Sequence, residues 1–187
     1  MKPKTLLRIL LLPLIPLSIP FTAMLLKIKG WAWGPLDFVV MWMLLAGAGF
    51  AYALLTRNTV PLAYRFATGL ALVTCFLLVW INSAVGIIGS EENPANLLYA
   101  AVLFTGLIGA VIARFQSPGM SRALVATAIA QLLVPVIALL FHKHDFAPGL
   151  WQVFALNACF AALFATSAAL FQRAARSSPA LRETTAA

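Results

Sequence analysis

A chain of 187 residues that is 63% hydrophobic and 10% charged, with a mean hydropathy of +0.96, is excluded from the ordinary soluble domains, in which about a quarter of residues are charged. A net charge of +8 would point to nucleic acid in a soluble protein, but here the basic residues flank apolar runs, where orientation in a bilayer accounts for them. The expected partner is lipid, and no nucleic acid.

Six apolar stretches follow one another: Leu6 to Leu26, Leu36 to Leu55, Leu62 to Ile88, Ala95 to Ala113, Ala123 to Phe141 and Leu150 to Phe171. Roughly 20 residues at about 1.5 Å each match a hydrocarbon core about 30 Å thick. The fold class is therefore all-α, a polytopic transmembrane helical bundle of six spans. Residues 1–173 are expected to form a single transmembrane domain, and 174–187 a short polar cytoplasmic tail.

The first stretch follows Lys2, Lys4 and Arg8, as a secretory signal would. Its length and the lack of a small-residue cleavage site predict that it is retained: cutting after Ala23 would leave Phe21 at the minus-three position. Pro13, Pro16 and Pro20 share one helical face, and each interior proline removes a backbone hydrogen bond. A kinked span is expected, with a re-entrant hairpin as the alternative, since irregular backbone at that depth has to be covered by protein.

Orientation follows from the loops. Gly89-Ser90-Glu91-Glu92-Asn93-Pro94 has no Lys or Arg and is assigned to the non-cytoplasmic side. Lys2, Lys4, Arg8, Arg57, Arg65, Arg114, Arg122, Arg173, Arg176 and Arg182 then fall in the cytoplasm, against Lys27, Lys29 and Lys143 outside. Both termini are expected to be cytoplasmic. Trp31, Trp33, Trp80 and Trp151 lie near expected outer ends as an interfacial belt, with Trp42 deeper. Arg57-x3-Pro61-x3-Arg65 returns as Arg114-x3-Pro118-x3-Arg122, and Gly49 and Gly106 keep the same offset. Two readings are open: tandem helical hairpins, or the demands of any tight cytoplasmic turn.

In the outer loop, Asn93 and Pro94 have the form of a helix N-cap and first residue, with Glu91 and Glu92 near a favourable dipole. The competing reading is an outward-facing cation site built from Asn82, Glu91, Glu92 and Asn96, joined by His142, His144 and Asp145. Oxygen and imidazole suit a divalent ion, but His142-x-His144 matches no metal motif, so no metal is assigned. Within the spans the polar side chains of interest are Gln131, four residues before Pro135, and Gln152 and Asn157. Amides at such depth usually hydrogen-bond between helices, at about 0.6 kcal/mol each. Gln131 and Asn157 are expected to face the bundle interior.

No Asp, Glu, Lys or His occupies the centre of a span, which argues against an ion-coupled pump. Both histidines lie in one outer loop, away from where haem would be held, and no nucleophile and base pair at depth. No cofactor is expected. Cys75 and Cys159 are read as small buried hydrophobes. Gly106 and Ala110, the row Ala161, Ala165 and Ala169, and the adjoining Ala158 and Ala162 allow close helix approach, inside the bundle or in a homo-oligomer.

The run from Trp80 and Asn82 through the acidic loop to Asn96, continued by Ile112 to Phe115 and Met120 to Gln131, resembles a family of small uncharacterised bacterial inner-membrane proteins. The resemblance covers most of the chain from the second span onward and is strongest in the acidic loop. It implies the bacterial inner membrane and, since that family has no assigned activity, transfers no catalytic or binding residue. The leading functional reading is a small transport or permeation protein. The alternative is a non-catalytic accessory or scaffolding subunit, distinguishable by a solid bundle with an exposed small-residue face. An enzyme acting on lipid through Glu91, Glu92 or a histidine is third.

Overall fold

The computed structural model describes residues 3–29, 32–58, 60–141 and 146–177, and all regular structure among them is helical. The helices are α1 (Pro3–Leu11), α2 (Leu14–Leu25), α3 (Pro35–Leu55), α4 (Leu62–Ala84), α5 (Leu98–Ile112), α6 (Ser117–Phe141) and α7 (Leu150–Arg176), with a single 3₁₀ turn, Pro94–Leu97, leading into α5. With α1 and α2 taken as one span, Lys4–Leu25, six segments are long and apolar enough to cross a membrane. The chain is thus an all-helical, multi-pass membrane protein. It divides into two compact units, Met1–Asn58 and Thr59–Ala187.

In the first unit the helix breaks at Leu12 and Pro13, because proline carries no N–H and its ring crowds the preceding turn. The interruption is brief: Leu12 N–H still reaches the Arg8 carbonyl at 2.8 Å, and Leu17 N–H the Pro13 carbonyl at 3.2 Å. The segment is therefore helical on both sides of a one-turn break, and together the two helices are long and apolar enough to cross a membrane. Trp42 on α3 donates its indole N–H to the Leu10 carbonyl at 3.1 Å, which gives the deep tryptophan a role beside the break. Pro35 opens α3, and the Asp37 carboxylate accepts the Gly34 N–H at 2.8 Å, closing the first turn.

In the second unit α7 packs against both α4 and α6, and α6 packs against α5. The inner face of α7 recurs at steps of three and four: Val153, Asn157, Phe160, Phe164, Ser167 and Phe171 are all buried. Ser167 Oγ donates to the Ala67 carbonyl of α4 at 2.7 Å, and Tyr64 stands edge-on to Phe171 with ring centroids 5.0 Å apart. The Tyr64 hydroxyl donates to the Phe115 carbonyl at 2.8 Å, pinning the turn between α5 and α6. Those two helices approach closely, since a Cβ added at Gly109 would lie 2.7 Å from the Cβ of Ala123.

Several boundaries differ from the apolar runs, with α6 for example starting at Ser117 rather than Ala123, and two of the differences bear on the site. The third run continues to Ile88, yet α4 stops at Ala84 and the chain turns back through Gly86 and Gly89, at φ of +69° and +71°. A Cβ at Gly86 would sit 2.5 Å from the Ser90 backbone, so only glycine fits there. Ile87 and Ile88 are apolar because the loop carrying them is buried in the core. At the other end α7 runs on to Arg176, and Ala174 and Ala175 remain buried where a polar tail is expected.

Candidate functional site

Two groups of polar residues in the second unit are candidates for a site. The first is the loop between α4 and α5. Asn96, buried within the 3₁₀ turn, holds the reversed segment through four bonds to backbone. Its Oδ1 accepts from the N–H groups of Ile87 and Ile88 at 3.2 and 3.0 Å, and its Nδ2 donates to the carbonyls of Ile88 and Ser90 at 3.2 and 2.7 Å. Irregular backbone that is buried needs such partners, because its N–H and carbonyl groups have no helical ladder to satisfy them. Asn82 Nδ2 donates to the Asn96 carbonyl at 3.3 Å, leaving Asn82 Oδ1 buried without a partner among the described residues.

Asn93 caps the 3₁₀ turn, its Oδ1 accepting the Ala95 N–H at 2.9 Å with Pro94 in the first position. Glu91 and Glu92 are exposed on the loop. Two of the four bonds of Asn96 occupy the oxygen that a cation would require, so this residue acts as a clamp in the described arrangement. His142, His144 and Asp145 lie outside the described residues. Among the described residues no three His, Cys, Asp or Glu side chains are grouped to hold a metal ion.

The second group is a node joining three helices. Tyr99 from α5, Gln131 from α6 and Asn157 from α7 meet with relative exposures of 1%, 0% and 0%. Asn157 Nδ2 donates to the Val153 carbonyl one turn back at 2.8 Å, which fixes the amide so that Oδ1 faces its neighbours. That oxygen accepts from Gln131 Nε2 at 2.9 Å. The Tyr99 hydroxyl lies 3.0 Å from Asn157 Nδ2 and 3.2 Å from Oδ1, able to accept from one or donate to the other. Gln131 Oε1 is buried and has no partner among the described residues. The node can therefore accept a hydrogen bond but holds no charge.

Gln131 and Asn157 thus come together in the interior, and Gln152 does not join them: it is exposed in the first turn of α7, where a Cβ at Gly149 would collide with its amide. Tyr99 is the member sequence reasoning missed. A tyrosine near the start of a span reads as an interfacial aromatic, and only its one-turn separation from Asn96 hints at an inward face. The cysteines also differ from expectation, since Cys75 is half-buried while Cys159 is exposed on α7. An apolar run does not distinguish a lipid-facing side from a core-facing one.

No family model, curated protein or solved structure matches this chain.

Proposed function

We propose that this chain is a non-catalytic accessory or scaffolding protein of the bacterial inner membrane, its termini cytoplasmic, which packs against a second copy of itself through the outer face of α7. The observation that carries this reading is a contrast between exposed faces. Around the outside of α5 stand Phe104, Leu107, Ile108 and Val111, and around that of α6 Val125, Ile129, Leu132 and Leu133. From Gln152 to Arg176, α7 exposes no large hydrophobic side chain at all.

In their place Ala155, Ala158, Ala162, Ala165 and Ala169 are exposed at alternating steps of three and four. That spacing keeps one seam turned toward a neighbouring helix. Lipid tails make no demand for small side chains, whereas a second helix backbone does. A two-fold axis along the membrane normal would set the seam against its own copy, alanine to alanine.

Single cysteines along α7, in a chain with Cys75 and Cys159 replaced by alanine, test the reading. Cross-linking between copies should peak at Ala155, Ala158, Ala162, Ala165 and Ala169 and be low at Leu156, Phe160 and Leu163, and Ala162→Phe should abolish it. A flat profile, or no cross-linking anywhere, would sink it.

A permeation role is the second reading, and it rests on Gln131 Oε1, a buried acceptor of α6 with no partner among the described residues. It requires a water path to the node. A cysteine at Asn157 should then react with small water-soluble thiol reagents, and an unreactive thiol rules the path out.

A further inference from the structure

The first unit carries an open apolar groove of about 430 Å³, walled by Leu14, Leu17 and Phe21 of α2 and by Phe38, Val39 and Trp42 of α3. The wall offers little free hydrogen-bonding capacity. Ser18 also lines it, but its hydroxyl donates to the Ile15 carbonyl at 2.6 Å, and the Trp42 indole is bonded to Leu10. Such a wall selects hydrocarbon.

What lies at the end of the groove is charged. α2 finishes at Leu25, and the chain turns through Lys27, which adopts the left-handed conformation at φ +52° with its N–H on the Met24 carbonyl at 3.0 Å. Glycine is the usual residue at that position, because a side chain is disfavoured there. The chain instead places a lysine in the turn and a second, Lys29, two residues on, both exposed. The carboxylate at this end, Asp37, already accepts the Gly34 N–H. With Lys27 and Lys29 following α2 and the engaged Asp37 opening α3, the described charged residues at this end of the α2–α3 hairpin leave it net positive.

We propose that the groove between α2 and α3 holds an acyl chain of an anionic phospholipid whose phosphate is drawn to Lys27 and Lys29. The complementarity has two parts, hydrocarbon against a wall whose polar groups are already bonded, and phosphate against two exposed lysines in the connection that follows α2. This assignment does not depend on which leaflet that end faces. It is also independent of self-association through α7, which concerns residues of the other unit.

Trp42 lies in the groove wall and reports on its occupant. The full chain, with Trp31, Trp33, Trp80 and Trp151 replaced by phenylalanine, is reconstituted in phosphatidylcholine vesicles, and brominated phosphatidylglycerol or brominated phosphatidylcholine is added as quencher. The anionic lipid should quench Trp42 with the higher relative affinity, and each of Lys27→Gln and Lys29→Gln should reduce that preference by about fivefold. Raising the salt concentration on the chain with both lysines intact should reduce it likewise, a control that needs no further variant to fold. Equal quenching by both lipids, unaffected by salt or by the substitutions, would show ordinary boundary lipid and overturn the proposal. An unquenched Trp42 would show that protein, from this chain or another copy, covers the groove, and would overturn it too.

Discussion

Asn96 and Gln131 are both primary amides buried in the same four-helix unit, and they meet opposite circumstances. Asn96 is saturated by the backbone of one reversed loop, with two bonds in and two out. Among the described residues Gln131 makes a single side-chain bond, to another side chain on another helix, and its oxygen has no partner. Partners supplied by backbone cannot rotate away, so the first amide defines a local conformation. Partners supplied by side chains can rearrange, so the second ties helices together while keeping capacity in reserve.

The largest effect expected from this difference is at Asn96. Asn96→Ala leaves the N–H groups of Ile87 and Ile88 and the carbonyls of Ile88 and Ser90 without their partner, and each orphaned buried group costs about 1–3 kcal/mol. With water reaching some of them, a loss of about 3 kcal/mol is expected in reversible unfolding in detergent. Hydrogen exchange at Ile87 and Ile88 should accelerate in step. If those amides stay protected, the loop is held by packing alone and the contrast with Gln131 disappears.

The interior node should be less sensitive. Asn157→Leu removes the acceptor of Gln131 and the neighbour of Tyr99 together, and bonds of this kind in membranes reach about 1.7 kcal/mol at most. A loss of about 1.5 kcal/mol is expected, with Tyr99→Phe costing about 0.6 kcal/mol. A loss for Asn157→Leu as large as that at Asn96 would mean that the node determines the fold as strongly as the loop does.

The two regions also differ in how far the sequence disclosed them. The spans were legible because bilayer thickness sets a length that apolar runs either reach or do not. The loop was hidden by the same logic, since Ile87 and Ile88 extend an apolar run and only Gly86 and Gly89, in conformations that favour glycine, mark the reversal. Asn93 was readable as a cap because capping is local. Asn96 was not readable as a clamp, because its partners lie six to nine residues back across a turn no periodicity describes. Gln131 and Asn157 were expected inside from the cost of an amide in lipid, and they are. The alanine rows of α7 were visible, but not which row is free: Ala161 is buried while Ala165 and Ala169 are exposed, because an i, i+4 row drifts around the helix.

Smaller effects separate capping from ion binding in the same loop between α4 and α5. Asn93→Ala should cost about 1 kcal/mol through the lost bond to Ala95 N–H. Glu91→Gln and Glu92→Gln, at exposed positions, should change stability by no more than about 0.5 kcal/mol. A rise in melting temperature with a divalent ion that vanishes in the double Gln variant would assign the loop an ion instead, since a ligand of the folded state stabilises by mass action.

The smallest expected effect is the sharpest test of the comparison. Gln131→Leu removes one bond to Asn157 but also removes an oxygen that is buried with no donor, and these two consequences oppose each other. The net change should lie within about 0.5 kcal/mol, well below the cost at Asn157, although both substitutions break the same hydrogen bond. Unfolding of Gln131→Leu, Asn157→Leu and the double variant measures the asymmetry directly, and the coupling between the two sites should be about 0.6 kcal/mol. A cost above 2 kcal/mol for Gln131→Leu alone would show that Oε1 has a donor in the membrane, a bound water or a passing solute. That result would move the node from helix packing toward the permeation reading.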